Sequence, residues 1–247
     1  MNAVSRIYGR AFDLVRSRPW LILLPVLAEW AQHVVEIRVG MYAGGMDAAG
    51  RSARLGFGIA KLVVLFCTII MAWRLWSFDG HVGRALRPTL RLFRGVGTFV
   101  LVQIVGNLSA FGIGLGLVAL VDEPAPPTRI MLTTAPLLAW LLASAALFPW
   151  YVALATEDRS MTLRRSLRAS RGRLLATWGL LVAGYLPLTI LHYGIGYAAL
   201  HGAPVWPLML LDGIVVGCLA AAFAATYYTI YRKAQERLEH AAEDATH

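Results

Sequence analysis

Glu29, His33 and Glu36 stand at i, i+4 and i+7, a spacing that stacks all three along one face of a helix. They belong to an apolar run that begins at Pro19. At 1.5 Å per residue Glu29 lies about 15 Å along that run, near the middle of a hydrocarbon layer roughly 30 Å thick. His33 and Glu36 then fall in the outer half, as do Lys61, His192 and Asp212 of other apolar runs. Ionisable groups at such depth are costly and face a protein interior or a water-filled cavity. Two chemistries fit this set. The six could converge on a polar cavity open to the outer side, able to hold an ion, a proton or a lipid headgroup. Alternatively, Glu36 or Asp212 pairs with Lys61 as interhelical glue while the histidines sit near the outer interface, and the sequence favours this second arrangement. A lone H-x-x-E step at His33 and Glu36 does not specify a metal, so neither metal nor cofactor is expected.

Catalytic patterns are missing. The chain has no H-E-x-x-H, no G-x-S-x-G and no G-x-x-x-x-G-K-[ST], which leaves zinc proteolysis, serine hydrolysis and P-loop chemistry without their parts. No catalytic residue is assigned. Cys67 and Cys218 both lie in apolar runs and read as small packing residues.

The elements that must position these groups are membrane helices. Only 15% of the 247 residues are charged and 58% are hydrophobic, against roughly 25% charged for a soluble domain. The runs at about 19–39, 55–76, 95–120, 130–154, 174–200 and 206–231 are each long enough to cross a bilayer as a helix. Continuous apolar runs of that length rule out a membrane barrel. Arginines alternate in abundance between the connections. They crowd the N-terminal segment, the second-to-third and fourth-to-fifth connections and the tail, whereas the other side has Arg38, Arg51, Arg54 and Arg129. The positive-inside rule then places both termini in the cytoplasm of a multi-pass protein. Because the net charge of +9 clusters at membrane entry points, topology and anionic headgroups account for it. No nucleic acid partner is expected. The first run is too long for a secretory h-region and is expected to remain as an anchor.

A basic amphipathic segment precedes three of the spans. The first has Val4, Ile7, Tyr8, Ala11, Phe12 and Val15 at helical spacing, opposed by Arg6, Arg10 and Arg16; the second, 81–94, carries Arg84, Arg87, Arg91 and Arg94, with Pro88 as a break. The third, 160–173, turns Arg164, Arg168 and Arg171 to water and offers Met161, Leu163, Leu167 and Leu174 to lipid. Such segments lie in the headgroup layer. Phe12–Leu27, Leu90–Val105 and Leu167–Val182 align with Arg16, Arg94 and Arg171 in register. That alignment allows three related hairpins, although basic-then-apolar order also follows from the topology rule alone. The second outer turn, DEPAPPTR, is too rich in proline to continue a helix, and the end AAEDATH reads as the last helix fraying. The chain reads as one domain. Asp79, Glu157 and Asp158, the acids of the basic connections, read as caps or partners for arginine.

Small residues recur every fourth position at Gly112 and Gly116, at Ala135, Ala139 and Ala143, and at Gly213, Gly217, Ala221 and Ala225. Such stripes let helix backbones approach closely, within the chain or in a homo-oligomer. Pro25, Pro136, Pro149 and Pro187 lie within spans, and each removes a helical hydrogen bond.

The two basic connections, SFDGHVGRALRPTLRLFRG and TEDRSMTLRRSLRASRGR, share an acid, a short polar step and an arginine helix ending in Arg-Gly. Over residues 75–190 this pattern resembles a group of bacterial six-helix inner-membrane proteins that includes the membrane domain of some glycerophosphoryl diester phosphodiesterases. The resemblance implies a bacterial cytoplasmic membrane and a link to lipid or envelope upkeep. The resemblance rests on membrane-domain residues alone, so no catalytic residue is expected to carry over. The expectation is a non-enzymatic accessory or assembly protein that engages anionic lipid, or a partner membrane complex, through its arginine elbows. A small transporter or channel using Glu29, His33, Glu36, Lys61 and Asp212 is the rival, and a membrane enzyme of lipid metabolism using His33 and Glu36 is a third reading.

Overall fold

Caps and prolines in the sequence set most helix boundaries. A computed structural model of the chain describes residues 2–43, 45, 47–121 and 125–243. Asp122–Pro124 of the outer turn and the tail from Asp244 therefore lie outside the described residues. Helix α1 (Ala3–Ser17) begins where Asn2 Oδ1 accepts from the Ser5 amide at 2.8 Å. Arg18 interrupts it, and Pro19, needing no amide partner at a first helical position, opens α2 (Pro19–Arg38). Helix α3 (Ala48–Ser77) is capped by Asp47 and therefore starts a full two turns before the apolar run does. Helix α4 (Val82–Leu86) stops before Arg87 and Pro88. Thr89 caps α5 (Leu90–Ala119), so Arg91 and Arg94 belong to a membrane helix and not to an elbow, contrary to the sequence reading. Helix α6 (Pro126–Ser144), a 3-10 turn at Ala145–Leu147 and α7 (Phe148–Thr156) form one interrupted span. Helices α8 (Leu163–Ser170), α9 (Leu174–Leu200) and α10 (Val205–Glu243) complete the chain.

No strand occurs among the described residues, and six helices are long and apolar enough to cross a bilayer. The chain is an all-α, multi-pass membrane protein. The most apolar windows of α5 and of the α6–α7 span are only 11% buried, so most of their side chains need an apolar solvent. A short basic helix followed by two spans occurs three times in order: α1–α2–α3, α4–α5–α6/α7 and α8–α9–α10.

The chain divides into two compact units. The first, Met1–Leu86 with Leu180–Thr229, packs α10 closely on α2. A Cβ added at Gly213 would strike the Trp30 indole, and one at Gly217 would lie 2.6 Å from Val26 Cγ2. Ala221 and Ala225 are buried too, so this predicted stripe works inside the chain. Helix α1 also packs on protein: Ile7, Ala11 and Leu14 are buried. Arg10 gives its Nη1 to Thr229 Oγ1 at 2.8 Å and lies 5.3 Å from the Tyr228 ring centroid. It therefore acts as an internal strut.

In the second unit, Arg87–Gly179 with Ile230–His247, the other predicted stripes do not pack within the chain. Gly112 and Gly116 meet nothing within 4 Å. The face of α5 that meets α6 runs instead through Gly106, Ala110 and Gly114, where added Cβ atoms would hit Trp140 and the Thr133 backbone. Two residues turn a helix by about 200°, which puts Gly112 and Gly116 on the opposite side. Ala135, Ala139 and Ala143 are exposed, because α6 meets α5 through Thr133 and Trp140. Ser166 of α8 replaces a helical hydrogen bond at the interruption. Its Oγ donates to the Ala146 carbonyl at 2.7 Å and accepts from the Trp150 amide at 3.3 Å, while Ser170 Oγ reaches the same carbonyl at 3.3 Å. Met161, expected at the lipid surface, is buried at 3% exposure.

Candidate functional site

In the first unit, the six intramembrane ionisable residues form one continuous network. Helix α2 supplies Glu29, His33 and Glu36, α3 supplies Lys61, α9 supplies His192 and α10 supplies Asp212. Lys61 Nζ lies 2.9 and 3.1 Å from the two Glu29 oxygens. This corrects the expected pairing of Lys61 with Glu36 or Asp212. His33 is at the centre and not at the interface: Nδ1 is 2.9 Å from Glu36 Oε2, and Nε2 is 2.9 Å from Asp212 Oδ2 and 3.3 Å from Glu29 Oε1. His192 Nδ1 lies 2.8 Å from Asp212 Oδ1. The three carboxylates are buried to within 2%.

Three further residues belong to this network. Gln32 Nε2 and Arg54 Nε each donate to Glu36 Oε1 at 2.8 Å, and the Tyr42 hydroxyl donates to Glu36 Oε2 at 2.8 Å. Burial and the Glu36 charge raise the Tyr42 phenol above its ordinary pKa, which keeps the O–H a donor. Gln32 was readable at i, i+4 from Glu36. Arg54 lies seven residues before Lys61, again one helical face. Tyr42, in the glycine-bearing connection, gave no signal.

Charge decides what the network still needs. Glu29, Glu36 and Asp212 bring three negative charges, and Lys61 and Arg54 two permanent positive ones. An imidazole with carboxylates at both nitrogens can donate to only one of them when neutral. The His33 position therefore calls for a second proton or for a cation beside the ring.

The second site lies in the second unit, at the third arginine elbow. Arg164, Arg168 and Arg171 line a cavity of about 430 Å³ together with Leu167, Leu174, Ser170 and Ala146. The helix that carries them is held at several points. Thr162 Oγ1 caps it by accepting from the Arg165 amide at 3.3 Å, Ser166 and Ser170 tie it to Ala146, and Arg237 Nη1 donates to the Ala169 carbonyl at 3.1 Å. Asp158 builds the preceding turn. It accepts from the Ser160 amide at 2.8 Å and from the Tyr231 hydroxyl at 2.7 Å. Burial raises its pKa, but the hydrogen bonds from Tyr231, Ser160 and Gln235 outweigh that and hold the carboxyl below its ordinary value. It is a turn anchor rather than an arginine partner, and Glu157 accepts from Thr89 Oγ1 at 2.9 Å.

The other predicted headgroup contacts stand elsewhere in the chain. Arg16, Arg87, Arg91 and Arg94 are exposed. Arg84, also exposed, lies 5.1 Å from the Phe78 ring centroid, and Arg6 is half-buried. Buried Arg74 fixes α4 by donating Nε to the Ala85 carbonyl at 2.7 Å. Comparison of the chain with protein-family models, with curated proteins and with solved structures returns no match.

Proposed function

We propose that this chain is a non-enzymatic accessory protein of a bacterial inner membrane that engages anionic lipid at its third arginine elbow. The cavity among Arg164, Arg168 and Arg171 carries this reading. Three guanidinium groups supply the planar, forked donors suited to a phosphate. Leu167 and Leu174 beside them offer apolar surface to an acyl chain. Both termini and this elbow are assigned to the cytoplasmic leaflet, where anionic headgroups attract basic residues at about 1 kcal/mol each.

Neutralising Arg164, Arg168 and Arg171 together should therefore remove roughly 3 kcal/mol, more than a hundredfold in affinity. Retention of phosphatidylglycerol by the protein in nanodiscs of graded anionic content measures it. The triple Arg→Gln variant is expected to lose that retention, whereas Arg129→Gln, at the opposite end of α6, keeps it. Equal retention by the triple variant and the unmodified chain refutes the proposal.

A further inference from the structure

We propose that the centre of the intramembrane network is a binding site for a divalent transition-metal ion, held by Glu29, His33, His192 and Asp212. Ligand atoms of Glu29, His192 and Asp212 lie within 4.8 Å of one another. His33 Nε2 lies beside two of these residues, 2.9 Å from Asp212 Oδ2 and 3.3 Å from Glu29 Oε1. Zinc ligated at about 2.0–2.1 Å in a tetrahedron sets neighbouring ligand atoms about 3.3 Å apart. The 3.3 Å His33–Glu29 contact matches that spacing, the 2.9 Å His33–Asp212 contact is shorter, and the other three ligand atoms lie within a wider envelope of 4.8 Å. Two imidazoles and two carboxylates, drawn from three helices, are a set that zinc, iron and cobalt accept and that magnesium and calcium disfavour.

The surroundings fit the same occupant. His33 Nδ1 faces Glu36 Oε2 at 2.9 Å, the outer-shell carboxylate that fixes a ligating histidine's tautomer and points its other nitrogen at the metal. With Nδ1–H donated to Glu36, Nε2 keeps its lone pair. Tyr42, Gln32 and Arg54 hold Glu36 in place, so the orienting group is itself oriented. Lys61 can keep Glu29 Oε2, at 2.9 Å, while Oε1 turns to the metal. A divalent ion also supplies the positive charge that the three carboxylates lack after Lys61 and Arg54 are counted. Sequence alone could not show this, because the H-x-x-E step in α2 brings only one of the ligands together with its orienter.

The experiment uses the full chain in detergent or native-lipid particles, stripped with a chelator. Zn²⁺ is then titrated calorimetrically and bound metal is counted by mass spectrometry; Co²⁺, whose visible absorption reports ligand type and geometry, serves as the second probe. One equivalent of Zn²⁺ and a Co²⁺ spectrum of nitrogen and oxygen ligation are expected. Asp212→Asn should lower the affinity at least tenfold. Should that variant not fold, His192→Gln alters a ring nearer the surface of the network and should produce the same loss. Failure of the unmodified chain to take up stoichiometric Zn²⁺ or Co²⁺ overturns the proposal. Undiminished binding by either folded variant overturns it as well.

Discussion

Replacing Lys61 with Met leaves Glu29 buried at 1% exposure without its ammonium partner. Removing one member of a buried ion pair costs about 3–5 kcal/mol, because the remaining charge is stranded. Glu29 keeps His33 Nε2 at 3.3 Å, so the lower end of that range, about 3 kcal/mol, is expected. Removing both charges in Glu29→Gln/Lys61→Met should restore most of the loss, giving a coupling of about 2–3 kcal/mol in a double-mutant cycle. That size discriminates between explanations, since polar contacts between membrane helices average roughly 0.6 kcal/mol and rarely exceed 1.7. Reversible unfolding in mixed detergent micelles, followed by circular dichroism, measures all four corners of the cycle. A coupling near 0.6 kcal/mol would reduce the Lys61–Glu29 contact to an ordinary polar touch and refute the reasoning from stranded charge.

Two further outcomes follow from packing and from titration. Gly217→Leu should destabilise by about 1–3 kcal/mol through overpacking against Val26 and Ile22, while Gly112→Leu, which meets open space, should shift thermal stability by less than about 0.5 kcal/mol. The Asp158 carboxyl has a lowered folded pKa, so its stabilisation is complete above the unfolded value of about 3.9 and is lost as pH falls through the folded one. Protection factors for hydrogen exchange across 156–163, corrected for the intrinsic pH dependence of amide exchange, should fall on acidification in the unmodified chain. Asp158→Asn should show low protection already at neutral pH, and a high, pH-independent protection factor in that variant would contradict the assignment.

The membrane helices and the face shared by Glu29, His33 and Glu36 were legible because both rest on one-dimensional periodicity. The pairing of Lys61 was not. Its depth depends on where α3 begins, and Asp47 starts that helix well before the apolar run does. Lys61 thus lies about 20 Å into its helix and reaches Glu29, not Glu36. The α5 contact failed for a related reason. That helix carries small residues on two opposite sides, and nothing in the chain says which side meets a neighbour. Arg10 shows a third limit: an amphipathic repeat looks the same whether its apolar face rests on lipid or on protein. The arginine cavity needed both the α8 pattern and the 3-10 turn at Ala145–Leu147, and only the former is written in periodicity.

The Ser166 hydroxyl, spliced into the backbone ladder between Ala146 and Trp150, hangs the basic elbow on the interrupted span by side-chain bonds. An alanine there would hand the Ala146 carbonyl and the Trp150 amide back to each other, as in any unbroken helix. The span would lose nothing it needs to stay embedded. What would be lost is one tether of the arm that carries the three guanidinium groups, leaving Thr162, Ser170 and Arg237 to hold it.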